Sequence, residues 1–287
     1  MKKKLLFVLV AATVMGSAAA FDFGKALSGL VPSDAIKVLG IGQKAVESNL
    51  EIPEKQEVEI GKGIAANLLG AAPLVRDDAL QRYVNRVGLW LALQTDRPGL
   101  PWRFGITQDE HVNAFATPGG TILVTLGLYQ KMRNESELAG VLAHEIAHVL
   151  QRHQLKAIQS ALGNEWRTDL ASLVAERKGS VQAAVQLKAF TAGTELFARG
   201  LDKGDEFEAD RMGVVIAARA GYNPYGLVGA LQTLDALNAR DAAVALMFKT
   251  HPTPSDRLDK MALSMEAQLD TYADAAREPA RLYQKNQ

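Results

Sequence analysis

From Glu54 onward, apolar positions recur at helical spacing, with Ile60, Ile64, Ala65 and Leu68 on one face. A second helix is predicted from about Asp77 to Leu93, with the stripe Leu80, Tyr83, Val84, Val87 and Leu91, and Pro98 and Pro101 end the helical period. The period then changes to two. Trp102, Phe104 and Ile106 alternate with Arg103, Gly105 and Thr107. His111 to Ala116 reads as a second short strand, and Pro118-Gly119-Gly120 turns the chain into Thr121 to Thr125. Asn134 opens a long helix as an N-cap, with Glu137 three residues on as in a capping box. Residues 155–200 read as further helices broken near Gly163 and Lys178-Gly179. Another helix runs from Gly204-Asp205 through Ala220, a further one ends near Leu237, and Thr253-Pro254 starts a last one with Asp256 at its third position. The pattern predicts an α+β fold, predominantly α-helical, with a small antiparallel sheet beside the Asn134 helix. It shows no internal repeat and no low-complexity segment.

The ends of the chain differ from this pattern. Lys2, Lys3 and Lys4 precede an apolar run from Leu5 to Met15, and Gly16-Ser17-Ala18-Ala19-Ala20 offers small residues before Phe21. Residues 1–20 therefore read as a secretory signal peptide, and the run is short for an uncleaved span of about 20 residues. Residues 21–52 carry Gly, Pro and Ser punctuation and read as a lead-in of helix and loop. A domain over 53–265 and a helical tail over 266–287 complete the expected organisation. A periplasmic or exported protein with no integral membrane segment after signal cleavage is the expected product. The lead-in leaves open a peripheral contact with a membrane or with outer-membrane assembly.

Composition narrows the classes. Hydrophobic residues make up 48% and charged residues 22%, an ordinary globular balance that excludes collagen-like and disordered chains. Basic and acidic residues number 32 each. Loss of Lys2, Lys3 and Lys4 leaves 29 against 32, and without a basic run nucleic acid is not an expected partner. There is no cysteine, which excludes disulfides, thiolate ligands, a thiol nucleophile and a lipoprotein anchor.

The chemistry concentrates in His144-Glu145-Ile146-Ala147-His148. On a helix of about 100° per residue, His148 lies about 40° round from His144 and one turn along, so both imidazoles can take corners of one zinc tetrahedron. Glu145 projects beside the metal, where a base that deprotonates a bound water must sit. The third ligand is approached by elimination. Cysteine is absent, and His153 lies about 140° from His148 if the helix continues, so it is expected to point away. Gln151 and Gln154 stand where a metzincin needs glycine and histidine. A carboxylate from another helix remains, and Glu206-Phe207-Glu208-Ala209-Asp210 fits. Glu206 would bind zinc, and Asp210 on the same face would accept the free N–H of a ligand histidine. Ala209 and Gly213 are small enough to let that helix press close. Glu208 reads as part of a solvated acidic face, and His111 as a turn residue.

With both segments in hand, the chain resembles the gluzincin metallopeptidases that include CAAX prenyl proteases, HtpX, mitochondrial Oma-type proteases and BepA-like periplasmic proteases. The resemblance covers about residues 54–262. It rests on Asn113 to Gly120, Glu137 to His148, Glu206 to Gly213, and His251-Pro252 with Arg257. It implies His144, His148 and Glu206 as ligands to one zinc ion per chain, with Glu145 as the base. It further implies that the strand Asn113-Ala114-Phe115 receives substrate backbone and that His251 and Arg257 lie near the reaction.

The expected activity is zinc-dependent endopeptidase cleavage. A fourth position left open on zinc holds water, Glu145 takes its proton, and His251 or Arg257 supplies an oxyanion donor. His251 could instead occupy the open position and hold the site inactive, or merely lead into the helix after Pro252. Protein or peptide substrates in extended, unfolded form would add to a sheet edge, as suits quality control of misfolded or unassembled exported proteins. Two other readings compete less well. A zinc-bearing binding module has no use for Glu145, and a structural zinc site is usually closed by four ligands rich in cysteine.

Overall fold

The computed structural model describes residues 52–161, 200–238, 241–265, 269–275 and 283. The expected signal peptide, nearly all of the lead-in, positions 162–199 of the 155–203 segment and most of the 266–287 tail lie outside the described residues.

Helix α1 (Glu54–Ala71) buries Ile60, Gly61, Ile64 and Ala65. Helix α2 (Asp78–Ala92) begins at Asp77, whose carboxylate accepts from the amides of Ala79 and Leu80. It buries the predicted stripe Leu80, Tyr83, Val84, Val87 and Leu91, because one apolar face of a 3.6-residue period can cover a sheet. The sheet comprises β1 (Arg103–Thr107), β2 (Ala114–Thr117) and β3 (Thr121–Thr125) in the order β1–β3–β2.

The sheet is mixed, not wholly antiparallel as the turns suggested. β2 and β3 are antiparallel, with Ala114 opposite Val124, through a turn held by Gly119 and Gly120 at φ 78° and 100°. β1 instead pairs with β3 in parallel, Arg103 opposite Thr121. Residues 108–113 carry the chain past the β3 position, so β3 becomes the central strand. Its unbroken Ile122-Leu123-Val124 run, fully buried, suits that place, since a central strand covered on both faces needs no alternation.

After the short α3 (Leu126–Tyr129) comes α4 (Glu135–Leu150), the helix of the His-Glu pattern. Asn134 caps it by accepting from the Glu137 amide. The Glu137 carboxylate does not return to Asn134 as in a capping box. It accepts from the Arg133 amide at 2.7 Å, one residue earlier, and pairs with the Arg133 side chain. Every residue from Ser136 to Val149 is buried, so α4 is the axis around which the other elements pack. Helix α5 (Lys203–Arg219), capped by Asp202, lies along one side and α6 (Gly226–Asp235) along another. Helix α7 (Ala242–Thr250), which hydrophobic periodicity did not reveal, starts at an Asp241 cap. Helices α8 (Pro254–Met265) and α9 (Asp270–Ala275) come next, and α9 is the described part of the expected helical tail. Among the described residues, no helix is long and apolar enough to cross a membrane.

Small residues set the closest approaches to α4. A Cβ on Gly213 of α5 would lie 2.9 Å from the His144 amide nitrogen and 3.0 Å from its Cα. These are backbone atoms and cannot rotate aside. Gly213→Ala is therefore expected to push α5 from α4 and destabilise the fold by about 1–3 kcal/mol, as overpacking does. Thermal unfolding measures it, and an unchanged Tm would show that the two helices can part freely.

Candidate metal centre

Helix α4 delivers His144 and His148 one turn apart, and α5 brings Glu206 against them. The two Nε2 atoms are 3.1 Å apart, with the rings nearly perpendicular at 86°. Glu206 Oε2 lies 3.6 Å from His144 Nε2, and Oε1 lies 3.5 Å from His148 Nε2. All three side chains are buried.

The other face of each imidazole sets its tautomer. His144 Nδ1 donates to Asp210 Oδ1 at 2.9 Å, and Asp210 in turn accepts from Arg257 Nε at 3.0 Å and from Arg257 Nη2. Arg257 Nη2 also comes within 3.2 Å of His144 Nδ1. It lies closer to the carboxylate, so His144 Nδ1 keeps its proton, and Nε2 is the nitrogen turned toward His148 and Glu206. The Asp210 contact is the one expected from its place a turn beyond Glu206.

Helical extrapolation turns His153 away from the site, and the structure does not. Its Nδ1 lies 2.9 Å from His148 Nδ1, and the ring is fully buried. The extrapolation assumes a continuous helix, but α4 stops at Leu150, and Arg152 takes φ 56° before helical geometry resumes over 153–161. Glu208 likewise is not simply a solvated charge, since its Oε2 lies 3.6 Å from His153 Nε2.

A cation fits the donor set of His144, His148 and Glu206. The two imidazole Nε2 atoms face one another, and Glu206 Oε1 is buried without a hydrogen bond among the described residues, a costly state for a charged oxygen. The two carboxylates favour positive charge here: burial and the Arg257 charge push His144 down, yet its bonds to Asp210 and Glu206 prevail and carry it up to about 9, so a cation at this imidazole would take the place of a proton on Nε2. Burial, with His144 beside it, keeps His148 well below the ordinary imidazole value and therefore neutral. Burial raises Glu206, but His251 and His144 hold it well below the carboxylate range. The centre thus holds ionised carboxylate that positive charge stabilises. Glu206 and His144 also group with His251 within metal-ligand reach, and His153, Asp205 and Glu208 form a second such group.

A cleft opens on this centre, lined by Asn113, Ala114, Phe115, Glu145, His148, Glu206 and His251 among others. Glu145 is 4% exposed, and burial raises its carboxyl above the ordinary value against the pull of His144. His251 Nδ1 is 2.7 Å from Glu206 Oε2, where the imidazole N–H donates to the carboxylate. β2, which carries Ala114 and Phe115, is an outer strand of the sheet and forms one wall. Arg257 is buried against Asp210, behind His144. His111 sits apart, exposed and paired with Asp109. Gln154, which sequence reasoning used only to exclude the metzincin pattern, and Thr250, which it passed over, also line the cleft. Neither belongs to a motif, and Thr250 lies on the unforeseen α7.

A buried imidazole pair on one helix, a carboxylate from a second and a glutamate beside them on the cleft mark a metal-dependent hydrolase of the H-E-x-x-H class. The family model described as Peptidase family M48 matches residues 78–263, and this chain belongs to that family of metallopeptidases. Similar proteins include the Beta-barrel assembly-enhancing protease of Escherichia coli strain K12, 31% identical over 262 residues that make up 90% of this chain and 51% of that protein. The Mitochondrial metalloendopeptidase OMA1 of Schizosaccharomyces pombe is 28% identical over 62% of this chain and 51% of its own length. The Metalloprotease LoiP of Escherichia coli strain K12 is 28% identical over 61% of this chain and 68% of its own. The chain spans about half the length of the first of these relatives.

Proposed function

We propose that this metallopeptidase is a zinc-dependent endopeptidase that cleaves exported proteins in unfolded or unassembled form. The observation that carries the reading is the convergence of His144, His148 and Glu206 with Glu145 on one cleft whose wall is an outer strand. His144, His148 and Glu206 would hold the zinc. When bound, the ion polarises a water and the scissile carbonyl.

The chain's own residues do the rest. Glu145, buried beside the ligands with a raised carboxyl, takes the proton from the attacking water and returns it to the leaving amine. Asp210, held by Arg257, keeps His144 turned toward the metal. This makes Arg257 a positioning residue, because its Nε and Nη2 are both committed to Asp210. Asn113, Ala114 and Phe115 would receive an extended substrate along β2 through main-chain hydrogen bonds, which tolerate varied side chains. The pattern at residues 1–20 and the name of the relatives concerned with β-barrel assembly support a periplasmic or exported site of action in protein quality control.

Cleavage of unfolded casein by the purified protein tests this. Activity is expected to vanish with a chelator and return with zinc. Chelator-resistant cleavage, or cutting of one folded protein only, would sink the proposal.

His251 permits a second measurement. Its N–H steadies Glu206 and its ring borders the cleft. His251→Ala is expected to lower turnover by about 10²-fold with zinc still bound, the scale of losing one polar group at a transition state. A variant faster than the native protein would instead assign His251 to blocking the open metal position.

A further inference from the structure

Each of the two ligand imidazoles must carry its one proton on the nitrogen that faces away from the metal, and each proton needs an acceptor. For His144 the acceptor is Asp210. For His148 the only nearby atom of that kind among the described residues is His153 Nδ1, 2.9 Å away and fully buried.

Proton counting then fixes His153. His148 turns Nε2 toward His144 and Glu206, so its Nδ1 is the donor. His153 Nδ1 is therefore the acceptor and carries no hydrogen. A neutral imidazole has one N–H, which must sit on His153 Nε2. That atom lies 3.5 Å from Asp205 Oδ1 and 3.6 Å from Glu208 Oε2, and has no hydrogen-bond partner among the described residues. Asp205 and Glu208 flank Glu206 on α5. A line of polar contacts thus runs from the metal-facing side of α4 back to the helix that supplies the third ligand.

The turn that makes this line is built for it. Arg152 adopts φ 56°, uncommon for a residue with a side chain, and its Nε lies 3.2 Å from the buried carboxylate of Glu57, which also binds Arg97. Without that turn, His153 would continue along α4 and leave His148 unsupported.

We propose that His153 is a positioning residue of the metal centre: it accepts the Nδ1 proton of His148, holds that ring in the tautomer that binds metal through Nε2, and passes the polarity on to Asp205 and Glu208. The inference rests on the reading of His144, His148 and Glu206 as ligands. It also speaks to the group formed by His153, Asp205 and Glu208. A second cation on His153 Nε2 would have to displace the N–H that the hydrogen bond from His148 assigns there, so a polar relay is the better account of that group.

The test is zinc affinity of the full chain, by competition with a chromogenic chelator, with stoichiometry read in the same titration. The native protein is expected to bind one zinc. His153→Phe, similar in size but without an acceptor, is expected to lose about 10–100-fold in affinity, the scale of removing an outer partner of a metal-bound histidine. His153→Asn, whose Oδ1 can stand where Nδ1 stood, is expected to stay within about threefold of native, by the same accounting. Histidine-ring nitrogen NMR of the native zinc-loaded protein is expected to show His153 protonated on Nε2 alone. This readout stands even where a variant does not fold. Unchanged affinity in His153→Phe, equal loss in both variants, or a proton on His153 Nδ1 overturns the relay. Two zinc equivalents, one of them lost in His153→Phe, overturn it in favour of a second cation site. A native protein that binds no zinc at all removes the ligand reading first, and is thereby told apart from failure of the relay alone.

Discussion

Glu145→Gln is expected to abolish measurable cleavage of unfolded protein while zinc stays bound. The side chain keeps its size, and it is not among the proposed ligands, which are His144, His148 and Glu206. What disappears is the acceptor for the water proton. Positioned general bases contribute about 10²–10⁴-fold to rate, and among the described residues the other carboxylate lining the cleft is Glu206, which accepts from His251 and is itself a proposed ligand. Zinc content and casein cleavage of the two proteins, measured side by side, decide the matter. A variant that cuts within tenfold of the native protein would move the base elsewhere. A variant that loses zinc would mean that Glu145 is a ligand.

The largest effect on stability is expected from Asp210→Ala. Asp210 and Arg257 are both buried, 1% and 7% exposed, and the Arg257 guanidinium spans Asp210 through Nε and Nη2. Truncating the carboxylate leaves a buried cation without its hydrogen-bonded partner charge, which costs about 3–5 kcal/mol. For a domain of this size that lowers Tm by on the order of 10 °C. Zinc affinity should fall as well, because His144 Nδ1 loses its acceptor. The pair Asp210→Leu with Arg257→Met separates the effects. It should recover much of the stability, since no charge is stranded, but not the zinc affinity. Acidity gives an independent check. Burial raises the Asp210 carboxyl, but Arg257 and His144 prevail and hold it below the ordinary 3.8. A group depressed on folding stabilises fully above its unfolded value, so the native-to-variant gap should be complete above about pH 4 and narrow as the solution becomes more acid. An Asp210→Ala protein that melts with the native one would show that the ion pair is relaxed or solvated.

Much of the metal centre was written in local spacing. His144, Glu145 and His148 are adjacent on a helix whose period places them, and Asn134 marked its start. Glu206 and Asp210 needed one further step, the idea that Ala209 and Gly213 allow close helix contact, and the approach of Gly213 to the His144 backbone is the physical form of that step. Fold class came from the dominance of the 3.6-residue period. Helix α7 escaped because Ala242 to Thr250 is too short and too apolar to show a polar face.

By itself, then, the sequence pointed to the side chains proposed to bind metal and accept a proton, because an α-helix converts spacing into direction without help from the rest of the chain. Two matters were settled only by the tertiary structure. The order β1–β3–β2 depends on which strand the 108–113 link lets through to the centre, and alternation reports faces, not neighbours. The return of His153 to His148 depends on a left-handed turn at Arg152, beside a glutamate nearly a hundred residues earlier in the chain, Glu57. A helical extrapolation stops being valid at the residue where backbone hydrogen bonding stops, and here long-range ion pairing accompanies the stop.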